Sequence, residues 1–404
     1  MQLEDLARRT RATLCLGCGK CTGMCPLADL SPGYSPRRLV ARALQGLEAN
    51  GRQLVRECLT CGACEERCPE GVSFVRFVRE ARSALPQEER AVCPHHQVLA
   101  QTTRLMSEGK TSPDRLGWLT DDLKVAEKGD VYLFVGCLPL FDVVYEDLGV
   151  ETVEIARSAI RVLNRLGIEP VVSADEVCCG HDLLWSGDPE TYRKLAERNT
   201  RMITETGAKT IVTTCAECAR TLALDYAETV PGFKIPVQHM TSFLAERMEE
   251  LGLSQEEMSK RTVTYQDPCR LGRHLRVYDD PRTVLSGVPG VDLVEMEMSA
   301  RNSRCCGTSG FSHCDAESRR LQTLRLESAR ETGAETLVTA CPKCLIHFTC
   351  TQKENERRAR IDGEAPAGKG IQTEDITVLV DSALQKSTAP AAGREKAAAV
   401  KGEG

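Results

Sequence analysis

Cysteine is the residue type in this chain whose number and spacing could do chemistry. There are 21 in 404 residues, and 18 of them fall into regular groups. Residues 15–26 read CLGCGKCTGMCP and residues 58–69 read CLTCGACEERCP, so C-x₂-C-x₂-C-x₃-C-P occurs twice. Further on, Cys178-Cys179-Gly180 and Cys305-Cys306-Gly307 each hold two adjacent thiols. A single cysteine precedes each pair, at Cys137 and Cys269, and a C-x₂-C follows, at Cys215/Cys218 and Cys341/Cys344. A disulfide between neighbours is strained, because the bond normally needs Cα atoms about 5.5 Å apart. Zinc takes four ligands, so one zinc does not account for five thiols. An adjacent pair bridges two metal atoms more naturally, and five thiols ask for a polynuclear cluster.

The two N-terminal runs are similar to those of bacterial two-cluster ferredoxins, in which the fourth cysteine of each run ligates the other cluster. Carried over, Cys15, Cys18, Cys21 and Cys68 hold one cubane [4Fe–4S] cluster, and Cys58, Cys61, Cys64 and Cys25 hold a second. Structural zinc is the competing use of C-x₂-C pairs. It gives no reason for a third and fourth cysteine at these offsets, twice. Pro26 and Pro69 favour extended backbone at the cysteine before each. The stretch between the runs, including YSPRRLVARALQGLEANG, has helical periodicity and predicts a helical insertion. Arg37, Arg38 and Arg67 could counter cluster charge, although surface arginines usually meet only solvent.

The elements that must position the later cysteines are written twice. Residues 206–218, TGAKTIVTTCAEC, match residues 332–344, TGAETLVTACPKC, at eight of thirteen positions. VYLFVG reads as a buried strand, VEIARSAIRVLNRLG as an amphipathic helix, and VVSADEV as a returning strand. PETYRKLAERNTRMITETGA reads as a second helix, and TIVTT as a strand running into C-x₂-C. TVTYQDPC repeats the strand-to-cysteine step at Cys269. Every group therefore sits where a strand ends, the ligand-binding edge of an open α/β sheet.

Bulk composition narrows the function. The N-terminus MQLEDLARRTRATLC does not resemble a signal peptide, and no run approaches a membrane span. A high cysteine content in such a chain points to metal in a reducing compartment. A net charge of −6 and pI near 5.8 argue against nucleic acid. Aromatic residues are only 4%, so metal–thiolate bonds are expected to supply part of the stability. Neither a G-x-G-x-x-G fingerprint nor a P-loop occurs, which puts flavin or nicotinamide on a partner.

Taken together, the repeated C…CCG…C-x₂-C unit behind two ferredoxin-type runs resembles the heterodisulfide reductase family over about residues 10–385. The form it resembles is the fused, D-type one, with the ferredoxin-type and CCG-domain parts joined in one chain. The resemblance implies an α+β / α/β chain: a helical two-[4Fe–4S] ferredoxin-like domain (1–92), a linker (93–129), and two repeated α/β CCG domains (130–250 and 251–385). A disordered tail (386–404) follows from composition. It further implies a noncubane [4Fe–4S] cluster on Cys137, Cys178, Cys179, Cys215 and Cys218, and another on Cys269, Cys305, Cys306, Cys341 and Cys344. Zinc or an ordinary cubane in one unit is the alternative. These ten cysteines would be catalytic, reducing a disulfide of the coenzyme M–coenzyme B type. A relay component of a flavin dehydrogenase, fumarate reductase or acyl-CoA reductase complex fits the same cysteines. Expected partners are a flavoprotein or a membrane cytochrome b, the expected compartment is the cytoplasm, and any membrane contact would run through a partner. Cys93, Cys314 and Cys350 read as small buried side chains, Cys314 being the best placed of them for site chemistry. His181 and His313 are candidate proton donors to thiolate products.

Overall fold

The computed structural model describes residues 3–387 except 32, 46–48, 88–89, 91–94, 96, 111–113, 254–259, 309–313 and 364–369. Cys93, His313 and the tail from residue 388 lie outside the described residues. Lys386 ends a helix, Ile376–Lys386.

No strand occurs among the described residues before Val131. Helices Leu3–Arg9, Pro36–Leu44, Ala49–Glu57 and Phe74–Ala84 close around Leu6, Leu39, Val55, Phe77 and Val78, all buried. Two of these helices form the expected insertion between the cysteine runs. Cys25 (φ −82°, ψ 116°) and Cys68 (φ −76°, ψ 114°) are extended, as the following prolines require. The next stretch, expected as a linker, carries helix Val98–Ser107 and is packed. Its Arg115 is buried, with Nη2 donating to Gly136 O (2.7 Å) and to Glu176 Oε1 (2.6 Å).

Two parallel sheets follow. The first contains β1 (Val131–Phe134), β2 (Thr210–Thr213) and β3 (Val237–His239), in that order. The second contains β4 (Arg261–Gln266), β5 (Val291–Leu293), β6 (Thr336–Thr339) and β7 (Gln372–Asp375), in the order β5-β4-β6-β7. VVSADEV does not form a full strand. Only Val171 bridges to Tyr132, on the outer edge of β1. That places it where β5 stands beside β4, so the two units share one topology. Pro170 supplies no N–H, which limits pairing on one side of the bridge.

Each unit lends its last helix to the other. Ile376–Lys386 packs on Thr152–Arg165 of the first unit, and Met240–Ala245 packs on Asp279–Ser286 of the second. Asp381 ties the first exchange, accepting from Ser158 Oγ (3.0 Å) and Arg161 Nε (2.7 Å). The units thus face each other across a pseudo-two-fold axis.

Candidate metal centres

Parallel strands end on one edge, and the sequence puts cysteines just past four of those ends. Cys137 follows β1, Cys215 follows β2, Cys269 follows β4 and Cys341 follows β6. The adjacent pairs arrive on loops that need glycine. Gly180 has φ +81°, and a Cβ there would stand 2.8 Å from Tyr192 Cδ2. Gly307 has φ +80°, and its Cβ would meet Ser318 O at 2.7 Å. Both pairs therefore turn through a backbone that side chains rarely adopt.

In the first unit, all five expected cysteines line one cavity of about 330 Å³, with Val135, Leu138, Phe141, His181, Asp182 and Glu217. Cys218 and Cys179 sulfurs lie 3.4 Å apart, and further thiol contacts join Cys137 to Cys178 and Cys215 to Cys218. Buried Glu176 fixes the entry loop, accepting from Tyr132 Oη (3.0 Å), Val135 N (3.2 Å) and Gly136 N (2.8 Å). The second unit gathers its five as well, through contacts of Cys305 with Cys269 and Cys306, and of Cys344 with Cys306 and Cys341.

The N-terminal runs interleave. Cys25, Cys58, Cys61 and Cys64 surround a single cavity of about 320 Å³ with Tyr34 and Phe74. Buried Arg82 supports this set from behind, its guanidinium donating to Val55 O, Arg56 O, Cys58 O and Trp185 O at 2.5–3.0 Å. The other set is nearer the surface. Cys18 is exposed and Cys15, Cys21 and Cys68 are half-buried. The turn Lys20–Gly23 packs against the turn Glu65–Arg67, and Val72 N donates to Cys68 Sγ at 3.4 Å. Four thiols around one space in the inner set, and five gathered in each later unit, suit the iron–sulfur chemistry of thiolate ligands.

The sets also touch one another. The Cys61 thiol contacts that of Cys305, and the Cys215 thiol contacts that of Cys341. The bond from Cys305 holds the Cys61 thiol down to about 5, against its burial and with help from Arg273 and Arg270. The second five-cysteine set therefore touches both the inner four-cysteine set and the first five-cysteine set.

A buried charged network joins the same units. Pro342 and Lys343 of the second unit line the first unit's cavity. Lys343 Nζ pairs with Asp182 Oδ1 (2.5 Å) and with Glu217. Although burial pushes it up, Glu217 is held well below the usual carboxylate range by His181 and Lys343. His181 Nδ1 faces Asp182 Oδ1 (2.8 Å) and Glu217 Oε2 (3.1 Å), and Arg270 Nε donates to its Nε2 (3.0 Å). Arg270 also donates to Thr60 Oγ1 (2.8 Å) and bonds Thr60 O, and its guanidinium lies 4.1 Å from the Trp185 ring centre. It clamps the inner four-cysteine loop to the first unit.

The expected His181 is thus in the cavity, with both ring nitrogens engaged. Arg37 bonds Gly17 O (2.8 Å) in the outer loop, while Arg38 and Arg67 are exposed. Cys314 is exposed rather than buried, and Cys350 is half-buried. Lys343, Glu217, Asp182 and Arg270 were not singled out in the sequence. One signal was available: Glu217 and Lys343 occupy the same position of the two repeated C-x₂-C loops with opposite charge.

Comparison with known proteins agrees with this organisation. A family described as a 4Fe-4S dicluster domain matches residues 14–73, and one described as a cysteine-rich domain matches residues 131–223 and 263–349. The chain is 32% identical to the D-type component of the dihydromethanophenazine:CoB–CoM heterodisulfide reductase of Methanosarcina barkeri, over 93% of this chain and 94% of that protein. It is 30% identical to the B-type component of the fumarate reductase (CoM/CoB) of Methanothermobacter marburgensis, over 85% of this chain and 69% of that one. A probable iron-sulfur-binding oxidoreductase of Bacillus subtilis is 25% identical over 89% of this chain and 60% of its own length.

Proposed function

Because the chain belongs to the heterodisulfide reductase family in its D-type form, we propose that its two five-cysteine sets form the place where a small disulfide is reduced, and that its two four-cysteine sets bring the electrons. The chain is an iron–sulfur oxidoreductase subunit. The finer reading gives it two cubane clusters on Cys15/Cys18/Cys21/Cys68 and Cys25/Cys58/Cys61/Cys64. The two CCG units, 130–250 and 251–385, each hold one noncubane [4Fe–4S] cluster on their five cysteines, behind a ferredoxin-type domain over 1–92. When bound, such clusters take up and pass on single electrons, which thiolates alone do not.

The contact of Cys61 with Cys305 and of Cys215 with Cys341 carries this reading. The first contact links the inner set to the second unit and the other links the two units, while the turn Lys20–Gly23 of the outer set adjoins the turn Glu65–Arg67 of the inner run. Cleaving a disulfide consumes two electrons and two protons and yields two thiols. Two five-cysteine sets side by side suit a substrate with two sulfurs. Val135, Leu138 and Phe141 give the first unit's cavity an apolar wall that excludes water, and Lys343 brings a cation to it where thiolate charge develops. His181, held by Arg270 and two carboxylates, orients this corner.

The expected substrate is the coenzyme M–coenzyme B disulfide. Among the described residues no helix is long and apolar enough to cross a membrane. The proposed partner is a flavoprotein or membrane cytochrome b, and the proposed place of this chain is the cytoplasmic side. The test is oxidation of reduced viologen by anaerobically prepared protein with full iron and sulfide content. Rapid oxidation that depends on the added disulfide is expected. No turnover from fully loaded protein overturns the reductase reading in favour of a relay role.

A further inference from the structure

The outer four-cysteine set is nearer the surface than the inner one, and its surroundings differ from the rest of the molecule. On either side of Cys15, Leu14 and Leu16 are 46% and 70% exposed, and Cys18 is exposed beyond them. Single exposed leucines are ordinary. Two of them flanking a ligand loop leave an apolar spot over the candidate centre. Cations stand on the neighbouring elements. Arg8, Arg11, Lys20, Arg37 and Arg38 are exposed and have no ion-pair partner among the described residues. Arg8, Lys20, Arg37 and Arg38 stand on elements that pack together, helix Leu3–Arg9 on helix Pro36–Leu44 and the turn Lys20–Gly23 on the same helix, and Arg11 lies just past the first. Arg37 reaches the loop itself through Gly17 O (2.8 Å). Residues 1–42 hold seven basic and three acidic side chains, although the whole chain carries −6.

An apolar spot with unpaired cations on the neighbouring elements suits a transient protein interface, where charge steers encounter and a small dry patch seats it. A lipid surface would instead require an amphipathic helix with a broad apolar face. Here the two leucines belong to a loop and a single short turn, Ala12–Leu14.

We infer that this end of the molecule docks an acidic electron-carrier protein, whose carboxylates meet Arg8, Arg11, Lys20 and Arg38 while Leu14 and Leu16 close the contact. The inference rests on the oxidoreductase reading above. The step is a one-electron transfer in which the reduced carrier is oxidised and this chain is reduced, with no bond made or broken.

The experiment uses the anaerobic, cluster-loaded protein and an acidic plant-type [2Fe–2S] ferredoxin as probe. Binding is measured at about 20 mM and about 300 mM salt for the wild type and for an Arg8→Glu/Lys20→Glu/Arg38→Glu variant. Roughly tenfold weaker binding is expected at high salt, and again in the variant at low salt. Oxidation of reduced methyl viologen, a small radical cation that needs no docking surface, should be unchanged in the variant. Salt-independent binding, equal binding by the variant, or binding to phosphatidylglycerol vesicles in preference to ferredoxin overturns the inference. Loss of disulfide-dependent dye oxidation in the wild type would instead overturn the reductase reading and leave the binding result standing.

Discussion

Glu217 and Lys343 stand at equivalent places in the two C-x₂-C loops and meet across the pseudo-two-fold axis. Their side chains are 9% and 7% exposed, so each charge depends on the other and on Asp182 for compensation. A buried pair of this kind adds little net stability, but removing one member leaves a charge uncompensated. Lys343→Met should therefore cost about 3–5 kcal/mol in denaturant unfolding of the loaded protein. Lys343→Met/Glu217→Gln should recover much of that loss, and a double variant as unstable as the single would count against the pairing. At this scale the cysteines were legible and their partners were not. Thiol spacing is local, within a few residues on one loop. Arg270 reaches His181 across 89 positions and Thr60 across 210, distances at which sequence pattern carries no signal.

The elements follow the hydrophobic periods closely where they are long. Thr152–Arg165 and Pro189–Glu205 form as helices, and the runs ending at Phe134 and Thr213 form as strands, because 3.6- and 2-residue patterns separate well over such lengths. Val171 and the three residues of β3 are too short for a period to register. What these short strands do is start the exchanged helices. His239 and Asp375 end β3 and β7, and each caps the next helix, accepting from Thr241 N (3.1 Å) and Thr377 N (2.8 Å). Burial pushes His239 down to about 4 and Asp375 up to about 7. For Asp375 the ordinary value is 3.8. As pH rises from there towards 7, the unfolded chain ionises this group while the fold must keep it protonated, so stability falls. The loss is complete once pH passes the folded value, and amounts to about 4 kcal/mol at most. Asparagine caps as well and does not ionise. The advantage of Asp375→Asn over the wild type should then grow between about pH 5 and pH 7 in urea unfolding and level off above. An advantage that stays flat across this range would show that Asp375 is ionised in the fold.

Over the whole molecule, the two halves are stabilised by different means. Residues 131–386 hold two parallel ladders, long helices and an exchange of terminal helices, all of which persist as ordinary packing. The region before them holds helices of 7, 4, 5, 9, 9, 11 and 10 residues and no strand among the described residues. Helices this short are marginal without tertiary support. Here much of that support converges on the cysteine-lined cavity and on Arg82, three of whose four carbonyl partners, Val55, Arg56 and Cys58, lie on the segment that runs into the Cys58 loop. The juxtaposition of cysteine sets was not legible for the same reason. It exists only once Arg270 and Arg273 of the second unit grip Thr60 and Cys61 O from another domain. Metal ligation formed only in the folded state is folding free energy. Stripping the protein with an oxidant and a chelator should therefore open the N-terminal region first. Limited proteolysis of the stripped protein, read by mass spectrometry, should give its earliest cuts between residues 3 and 85. Earliest cuts within 131–386 would mean that the sheets, rather than the helical region, depend on the metal for their fold.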